Sequence, residues 1–313
     1  MKTQKNAVIP LGSYCNSQNE LKNMSELVPG FLEYARFELN FSPQTIGKYG
    51  KNLQYFIRDI GDKPVEQYEV QEFVHLKKLM MDRGNCEATI HGCVYAVRSF
   101  MLYCKNFLKL EVIDVKQIRP PKRVRREVVF LTKEEIEAFI STIDTKKWNE
   151  FRFRVLVEVL LGTGMRIGEV LSLNRKHIDW EKREAKIIGK GNKERTVFFT
   201  KRSLEWVSKW LERRKDAHEA IFITRMAKPT RLDRNDIWRF FDRHRKLAKI
   251  NKKLTPHILR HTVATNLVFN GCPLVHVKEI LGHERLDTTC KYYLGVDKEK
   301  AKQAHKEYLD FSS

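Results

Sequence analysis

Residues 118–132 read IRPPKRVRREVVFLT, and no other stretch constrains the fold as strongly. Pro120 and Pro121 lack an amide hydrogen and bias the residue before each away from helix. Arg119, Lys122, Arg123, Arg125 and Arg126 set five positive charges against one acid, Glu127. Such a composition suits an extended linker. We read 118–130 as a basic linker between a first half, 26–117, and a second half, 131–313. A plain surface loop would share the prolines. A strap this dense in charge would lie well along a phosphate backbone, so Lys122, Arg123, Arg125 and Arg126 are expected to touch DNA.

The charge outside the linker agrees. The 313 residues, enough for two domains, carry a net charge of +20. Residues 1–126 hold 20 Lys and Arg against 13 Asp and Glu, and the second half is basic as well. Both halves can therefore meet the same polyanion, and nucleic acid is the commonest one. Hydrophobic residues reach 42%, which excludes a disordered chain. Six cysteines form no C-x-x-C pair and read as reduced thiols. No signal-like segment or long apolar run is present, so a cytoplasmic, nucleoid-associated protein without membrane contact is expected.

Residues 1–25 are polar and read as a flexible extension. A helix is expected from near Glu26 and another from Ser42-Pro43, where Ser suits the N-cap and Pro the first turn. Val65–Arg83 and Ala88–Lys105 fit two further helices, so the first half reads as a helical bundle. The second half opens with Thr132-Lys-Glu-Glu135, a capping-box pattern. A long apolar helix, Phe151–Leu161, ends at Gly162-Thr-Gly164. A short helix follows. EAKIIGKGNKERTVFFT then reads as two strands about a tight turn. Helices resume, two of them started by Thr255-Pro256 and Pro273 and two stopped by Gly271 and Gly282.

Four islands carry candidate chemistry: GTGMRIGEVLSL, KIIGKGNKERTVFF, HILRHTVATNL and LGHERLDTTCKYY. Taken singly, each has an ordinary reading. Arg166 opens a helix, where free amides favour an anion, and Glu169 one turn later can pair with it; a surface arginine would look the same. Lys190 sits on a strand turn, as solvated lysines do. His257 and Arg260 share a helix face. His261 stands at metal-ligand spacing from His257, but the Glu of H-E-x-x-H is missing. His283 follows a helix-stopping glycine, where a histidine commonly caps.

Together they make two arginines, two histidines, a lysine and a tyrosine, with no acid pair and no metal cage. Arginines bind phosphate oxygens in bidentate fashion and stabilise a pentacoordinate transition state. Tyrosine can be a covalent nucleophile, and lysine or histidine can protonate a leaving oxygen.

These islands resemble those of the tyrosine recombinase (phage integrase) family, in particular its simple Xer-like members. The family sets Arg in G-T-G-x-R-x-x-E, Lys in a G-K-G-x-K-x-R hairpin, then H-x-L-R-H, L-G-H and a tyrosine some nine residues on; this chain matches each. The resemblance spans roughly 26–310 and is strongest in the second half. It implies a mainly α fold of two domains. An N-terminal helical core-binding bundle would join a C-terminal mixed α/β catalytic domain, mostly helical with a small antiparallel sheet, as a C-shaped clamp on DNA. By the same resemblance, Arg166 and Arg260 clamp the scissile phosphate, Lys190 protonates the leaving 5′-oxygen, and His257 assists proton transfer. His283 bonds a phosphate oxygen, and Glu169 supports the site. Lys193 and Arg195 would contact DNA, and His261 and Thr262 would be structural. The nucleophile is Tyr292, nine residues beyond His283. Its neighbour Tyr293 points about 100 degrees away on a helix and is left to pack.

The implied partners are double-stranded DNA with inverted-repeat sites and three further copies of the chain, in a tetramer that passes through a Holliday junction. No cofactor is implied. A charged helix from Asp297 to about Leu309 is expected to dock on a neighbouring copy. A second recombinase or a DNA translocase stays open as a further partner. So does the role, whether dimer resolution or integration and excision of a mobile element. Three rivals remain: a type IB topoisomerase, whose motif spacing differs; a sequence-specific DNA-binding regulator with an inactive site, which would not need Lys190 or Tyr292; and an RNA-binding protein, for which no aromatic stacking motif is present.

Overall fold

The computed structural model describes residues 21–122, 129–189 and 194–283. The chain divides into two compact units, 1–126 and 127–313.

Among the described residues the first unit holds four α-helices: α1 (Met24–Phe37), α2 (Pro43–Ile60), α3 (Val70–Asp82) and α4 (Glu87–Asn106). Ser42 caps α2 by accepting the Thr45 amide at 3.3 Å, ahead of Pro43 in the first turn. The amphipathic faces of α1, α2 and α3 pack around α4, burying Phe31, Phe56, Leu76, Val97 and Phe100. α1 starts at Met24 rather than Glu26. Its N-terminus is tied down by the Met24 amide on the Lys63 carbonyl and by Ser25 on Asp62, so the polar extension stops short of Ser25.

The stretch Val65–Arg83 is not one helix, as its apolar spacing suggests. A 3₁₀ turn covers Val65–Gln67, Tyr68 is extended, and α3 starts only at Val70. Two local bonds impose the break. The buried Tyr68 ring sends its hydroxyl back to the Gly61 carbonyl at 2.7 Å, and Glu72 accepts the Glu69 amide at 2.9 Å, which fixes a helix start there.

The second unit is built around α6 (Trp148–Thr163), against which α7 (Ile167–Ser172), α8 (Lys201–Glu212) and α10 (Pro256–Phe269) pack. α6 is buried on nearly all sides, as its uniformly apolar sequence requires. α5 (Lys133–Ser141) opens with the expected box: Thr132 Oγ1 accepts the Glu135 amide, and the Glu135 carboxylate accepts the Thr132 amide. α5 packs against α9 (Arg234–Leu247), and α11 (Leu274–Leu281) packs against α10. The sheet has a third strand beyond the hairpin. β1 (Ile178–Asp179) pairs antiparallel with β2 (Glu184–Ile188), which pairs with β3 (Glu194–Phe198) in the register Ala185↔Val197 and Ile187↔Arg195. The fold is thus mainly helical with one small antiparallel sheet. Among the described residues no helix is long and apolar enough to cross a membrane, and Cys93, Cys104 and Cys272 are free thiols.

The start of the second unit is fastened through Thr262, which is fully buried. Its Oγ1 accepts the Leu131 amide at 3.0 Å and donates to the Ile258 carbonyl at 2.9 Å. Thr262→Val keeps the volume and orphans the Leu131 amide. We expect a loss of about 1–3 kcal/mol in urea unfolding; a loss below ~0.5 kcal/mol would mean that the tie does not hold this segment.

Candidate active site

The site is organised by the C-terminal end of α11. The last carbonyls of any helix have no amide within the helix to bond. Here Gly282 adopts the left-handed conformation (φ 62°), and the amides of Gly282 and His283 fold back onto Glu279 and Lys278. Three successive carbonyls then each take an arginine. Arg195 donates from Nη1 to Ile280 at 3.1 Å, Arg260 from Nη2 to Leu281 at 2.5 Å, and Arg166 from Nη2 to Gly282 at 2.9 Å. The arginines come from β3, α10 and the N-cap of α7 respectively. Helix dipole and exposed carbonyls make this end of α11 a site for cations.

Arg260 also joins α11 to α6, donating from Nη1 to the carbonyl of Gly164 at 2.6 Å. Gly164 is the left-handed C-cap of α6 (φ 64°), and a Cβ there would stand 2.7 Å from Leu281 Cδ2. At Gly282 a Cβ would stand 2.6 Å from Arg195 Nε. Both glycines are therefore required twice, by backbone conformation and by close approach.

Glu169 holds the guanidinium groups in register. Its Oε1 accepts Arg166 Nη1 at 2.9 Å, and its Oε2 accepts Arg195 Nη2 at 2.9 Å and the Arg166 amide at 2.8 Å. Burial alone would raise the Glu169 pKa. The Arg166 amide and the charges of Arg195 and Arg166 outweigh it and hold the carboxyl below its ordinary range. Glu169 is 6% exposed, whereas the Arg166 side chain keeps 37% of its surface in solvent, where it can meet an anion.

Two imidazoles lie in the field of these arginines. His257 is in the first turn of α10, which Thr255 caps by accepting the Ile258 amide at 3.2 Å. Although its side chain reaches solvent, partial burial and the charges of Arg260 and Arg166 lower its pKa. His283 is 7% exposed; burial, then Arg260 and Arg166, push its pKa down to about 4. Both rings are therefore neutral at neutral pH, each with one N–H to donate in a hydrogen bond and one nitrogen free to accept a proton. His257 and His261 meet edge to face, with ring centroids 4.2 Å apart and an interplanar angle of 65°. Among the described residues no group of three His, Cys, Asp or Glu side chains is placed to hold a metal ion.

Arg166, Glu169, Arg195 and Arg260 thus interlock, with His257 and His283 close enough to feel their charge. Lys122 is exposed on the first unit. Lys190, Lys193, Tyr292 and Tyr293, the helix expected from Asp297, and Arg123, Arg125 and Arg126 lie outside the described residues. Arg195, expected as a DNA contact, is turned inward instead. Its side chain is 13% exposed and is engaged by Glu169 and Ile280. The signal for this was the strand period: Arg195 pairs with buried Ile187 and precedes buried Val197 by two, so it shares their inward face. The scaffold role of Gly282 had no comparable signal beyond its helix-stopping position.

Comparison with known proteins agrees with this geometry. The profile described as "Phage integrase family" matches residues 129–300. The chain is 32% identical to tyrosine recombinase XerC of Chlamydia caviae over 73% of this chain and 74% of that protein. It is 29% identical to tyrosine recombinase XerD of Halalkalibacterium halodurans over 88% and 94%. In three dimensions it resembles the Tn1549 transposon integrase in complex with circular intermediate DNA, with a TM-score of 0.73, 19% identity, and coverage of 90% of this chain and 99% of that one.

The lowered pKa of His283 has a direct consequence for stability. Between the ordinary histidine value near 6.5 and about 4, the unfolded chain binds a proton that the folded site refuses. Stability therefore falls as pH drops through that window, by at most about 3 kcal/mol for this group. Urea unfolding from pH 7 to pH 4 should show a steeper loss for the wild type than for His283→Asn. Equal slopes would place the imidazole in solvent.

Proposed function

Since the chain belongs to the phage integrase family and is a site-specific tyrosine recombinase similar to XerC and XerD, we propose that Tyr292 cuts DNA through a covalent 3′-phosphotyrosine. Arg166 and Arg260 hold the non-bridging oxygens of the scissile phosphate, and His283 donates a further hydrogen bond as a neutral imidazole. His257, also neutral, takes the proton of the Tyr292 hydroxyl as its oxygen bonds to phosphorus. The bond from phosphorus to the 5′-oxygen breaks, and Lys190 delivers a proton to that oxygen. A 3′-phosphotyrosine and a free 5′-hydroxyl result. A 5′-hydroxyl from a partner strand then attacks the phosphotyrosine and releases the tyrosine. Phosphodiester energy stays in the covalent link, so the exchange runs without a nucleotide cofactor.

The observation that carries this reading is the set of arginines fixed on consecutive α11 carbonyls beside two histidines held neutral. Such a seat stabilises charge developing on phosphate oxygens with little reorganisation. Arg195 serves from within as a positioning residue, with Glu169. Lys122, Arg123, Arg125, Arg126 and Lys193 contact the backbone of duplex DNA, with the helical first unit as a further DNA-binding domain. The substrate is a pair of inverted-repeat sites. Four copies act in a synaptic complex that passes through a Holliday junction, in dimer resolution or in integration and excision of a mobile element. The similarity to an integrase solved on circular intermediate DNA supports the choice of partner. The setting is the cytoplasm, at the nucleoid.

The test is an SDS-resistant protein–DNA adduct formed in EDTA on DNA flanking the gene, including nicked substrates that trap the intermediate. Wild type and Tyr293→Phe should form it, and Tyr292→Phe should not. Loss in Tyr293→Phe alone would move the nucleophile by one residue. Sequence-specific binding without any adduct would favour a DNA-binding regulator. In the same assay Arg195→Gln should cut roughly 100-fold more slowly, the cost of a small misplacement of the phosphate clamp, while its DNA affinity stays within about twofold of wild type. A matching loss of affinity would return Arg195 to the DNA-contacting set.

A further inference from the structure

Helix α6 buries three charged side chains near the surface of the second unit, and two of them are compensated. Glu158 accepts Arg154 Nε at 2.9 Å and Arg202 Nε at 3.0 Å. Glu150 pairs with Arg243, and its Oε2 lies 3.0 Å from Nε2 of His244, whose pKa burial lowers. Arg152 differs. It is 5% exposed, its Nη1 donates to the Ile223 carbonyl at 2.5 Å, and its guanidinium lies 5.3 Å from the Trp148 ring centre and 4.9 Å from that of Phe153. Its Nε is buried without a hydrogen-bond partner, and among the described residues no carboxylate forms an ion pair with it. Burial pushes its pKa down to about 10, with only the more distant Asp236 acting the other way. A buried charge left without a counter-ion is costly, which makes it a marker of a ligand.

Arg152 lies on the wall of a cavity of about 910 Å³ at the N-terminal end of α6. Lys146, Lys147, Arg225, Arg239 and Arg243 also line it, against two carboxylates, Glu150 and Asp236. The helix end itself is open. Lys147 at the N-cap supplies no side-chain cap, so the first amides of α6 have neither a helical nor a capping partner. Open amides, a helix dipole and surrounding cations together form an anion site. From Arg152 to Gly164 the helix rises about 18 Å, so this cavity is separate from the arginines at the α6 C-terminus.

We propose that this cavity is a second anion site, which binds a phosphate group with Arg152 as its buried counter-charge and Lys146 and Arg239 at its mouth. The volume accommodates more than a bare phosphate and matches pockets for ligands of nucleotide size. The phosphate comes either from a small phosphorylated metabolite or from a DNA backbone. The inference does not depend on the catalytic roles proposed above.

Pyrophosphate is the probe, titrated into full-length protein by calorimetry and by thermal unfolding. Wild type should bind it and gain Tm with concentration. Arg152→Met and the double variant Lys146→Gln/Arg239→Gln should weaken binding at this cavity at least tenfold, whereas Arg166→Gln should remove only the binding at the active-site arginines and leave the cavity's binding in place. The double variant alters exposed side chains only and carries the test if Arg152→Met fails to fold. Absence of binding, or binding lost in Arg166→Gln and kept in the double variant, would overturn the proposal. The source is read from DNA binding as a function of salt. A backbone phosphate requires the double variant to flatten the salt dependence by about one to two phosphate contacts. An unchanged slope, with pyrophosphate still bound by the protein–DNA complex, assigns a small metabolite.

Discussion

Three peptide carbonyls at the end of α11, those of Ile280, Leu281 and Gly282, are the point on which the catalytic unit depends. A helix must satisfy its terminal carbonyls, and like-charged guanidinium groups must be kept from repelling one another. Each need answers the other here. The carbonyls supply a local negative potential that lets three arginines crowd together, and the arginines complete a helix end that would otherwise require water. Arg260 extends the link to Gly164, so the ends of two helices and one strand are joined through arginine side chains. Stability and function cannot be separated at such a place.

The same arrangement sets the protonation of everything near it. One buried carboxylate, Glu169, sits among several cations and is therefore ionised despite its burial. The histidines meet the opposite condition, because partial burial and positive neighbours both disfavour imidazolium. Phosphodiester cleavage by a tyrosine asks for this division: fixed cations for the phosphate and neutral rings for proton transfer. Arg195 belongs to the supporting layer. It lies against Gly282, where any larger residue would strike it, and joins β3 to the helix end.

Much of the frame was legible in the chain. Ser42, Thr132 and Thr255 cap the helices that their positions announce, and the pairing of Arg166 with Glu169 follows from their spacing at a helix start. These features are local, and local chemistry decides them. What escaped was set in part by short-range side-chain bonds that override apolar periodicity and in part by contacts distant in sequence. The Val65–Arg83 segment keeps helical periodicity, yet the bond from Tyr68 to Gly61 and the box at Glu69 break it. A short β1 is stabilised only by its pairing with β2. The strand period turns Arg195 inward, but nothing in the order of residues names Glu169 as its partner or says that Arg152 would be buried without a carboxylate. Both depend on how elements far apart in the chain pack.

Protein groups hold the three arginines before any substrate arrives. Nitrogen-15 NMR of arginine side chains in the DNA-free protein measures this directly. A guanidinium pinned by carbonyls and a carboxylate rotates slowly and gives separate Nη resonances, whereas a solvated one averages them. The structure requires separate, slowly exchanging signals for Arg166, Arg195 and Arg260, and their collapse in Glu169→Gln for the two that Glu169 holds. Averaged signals for these three in the wild type would mean that the phosphate seat is assembled only by its substrate, and the preorganised clamp would have to be abandoned.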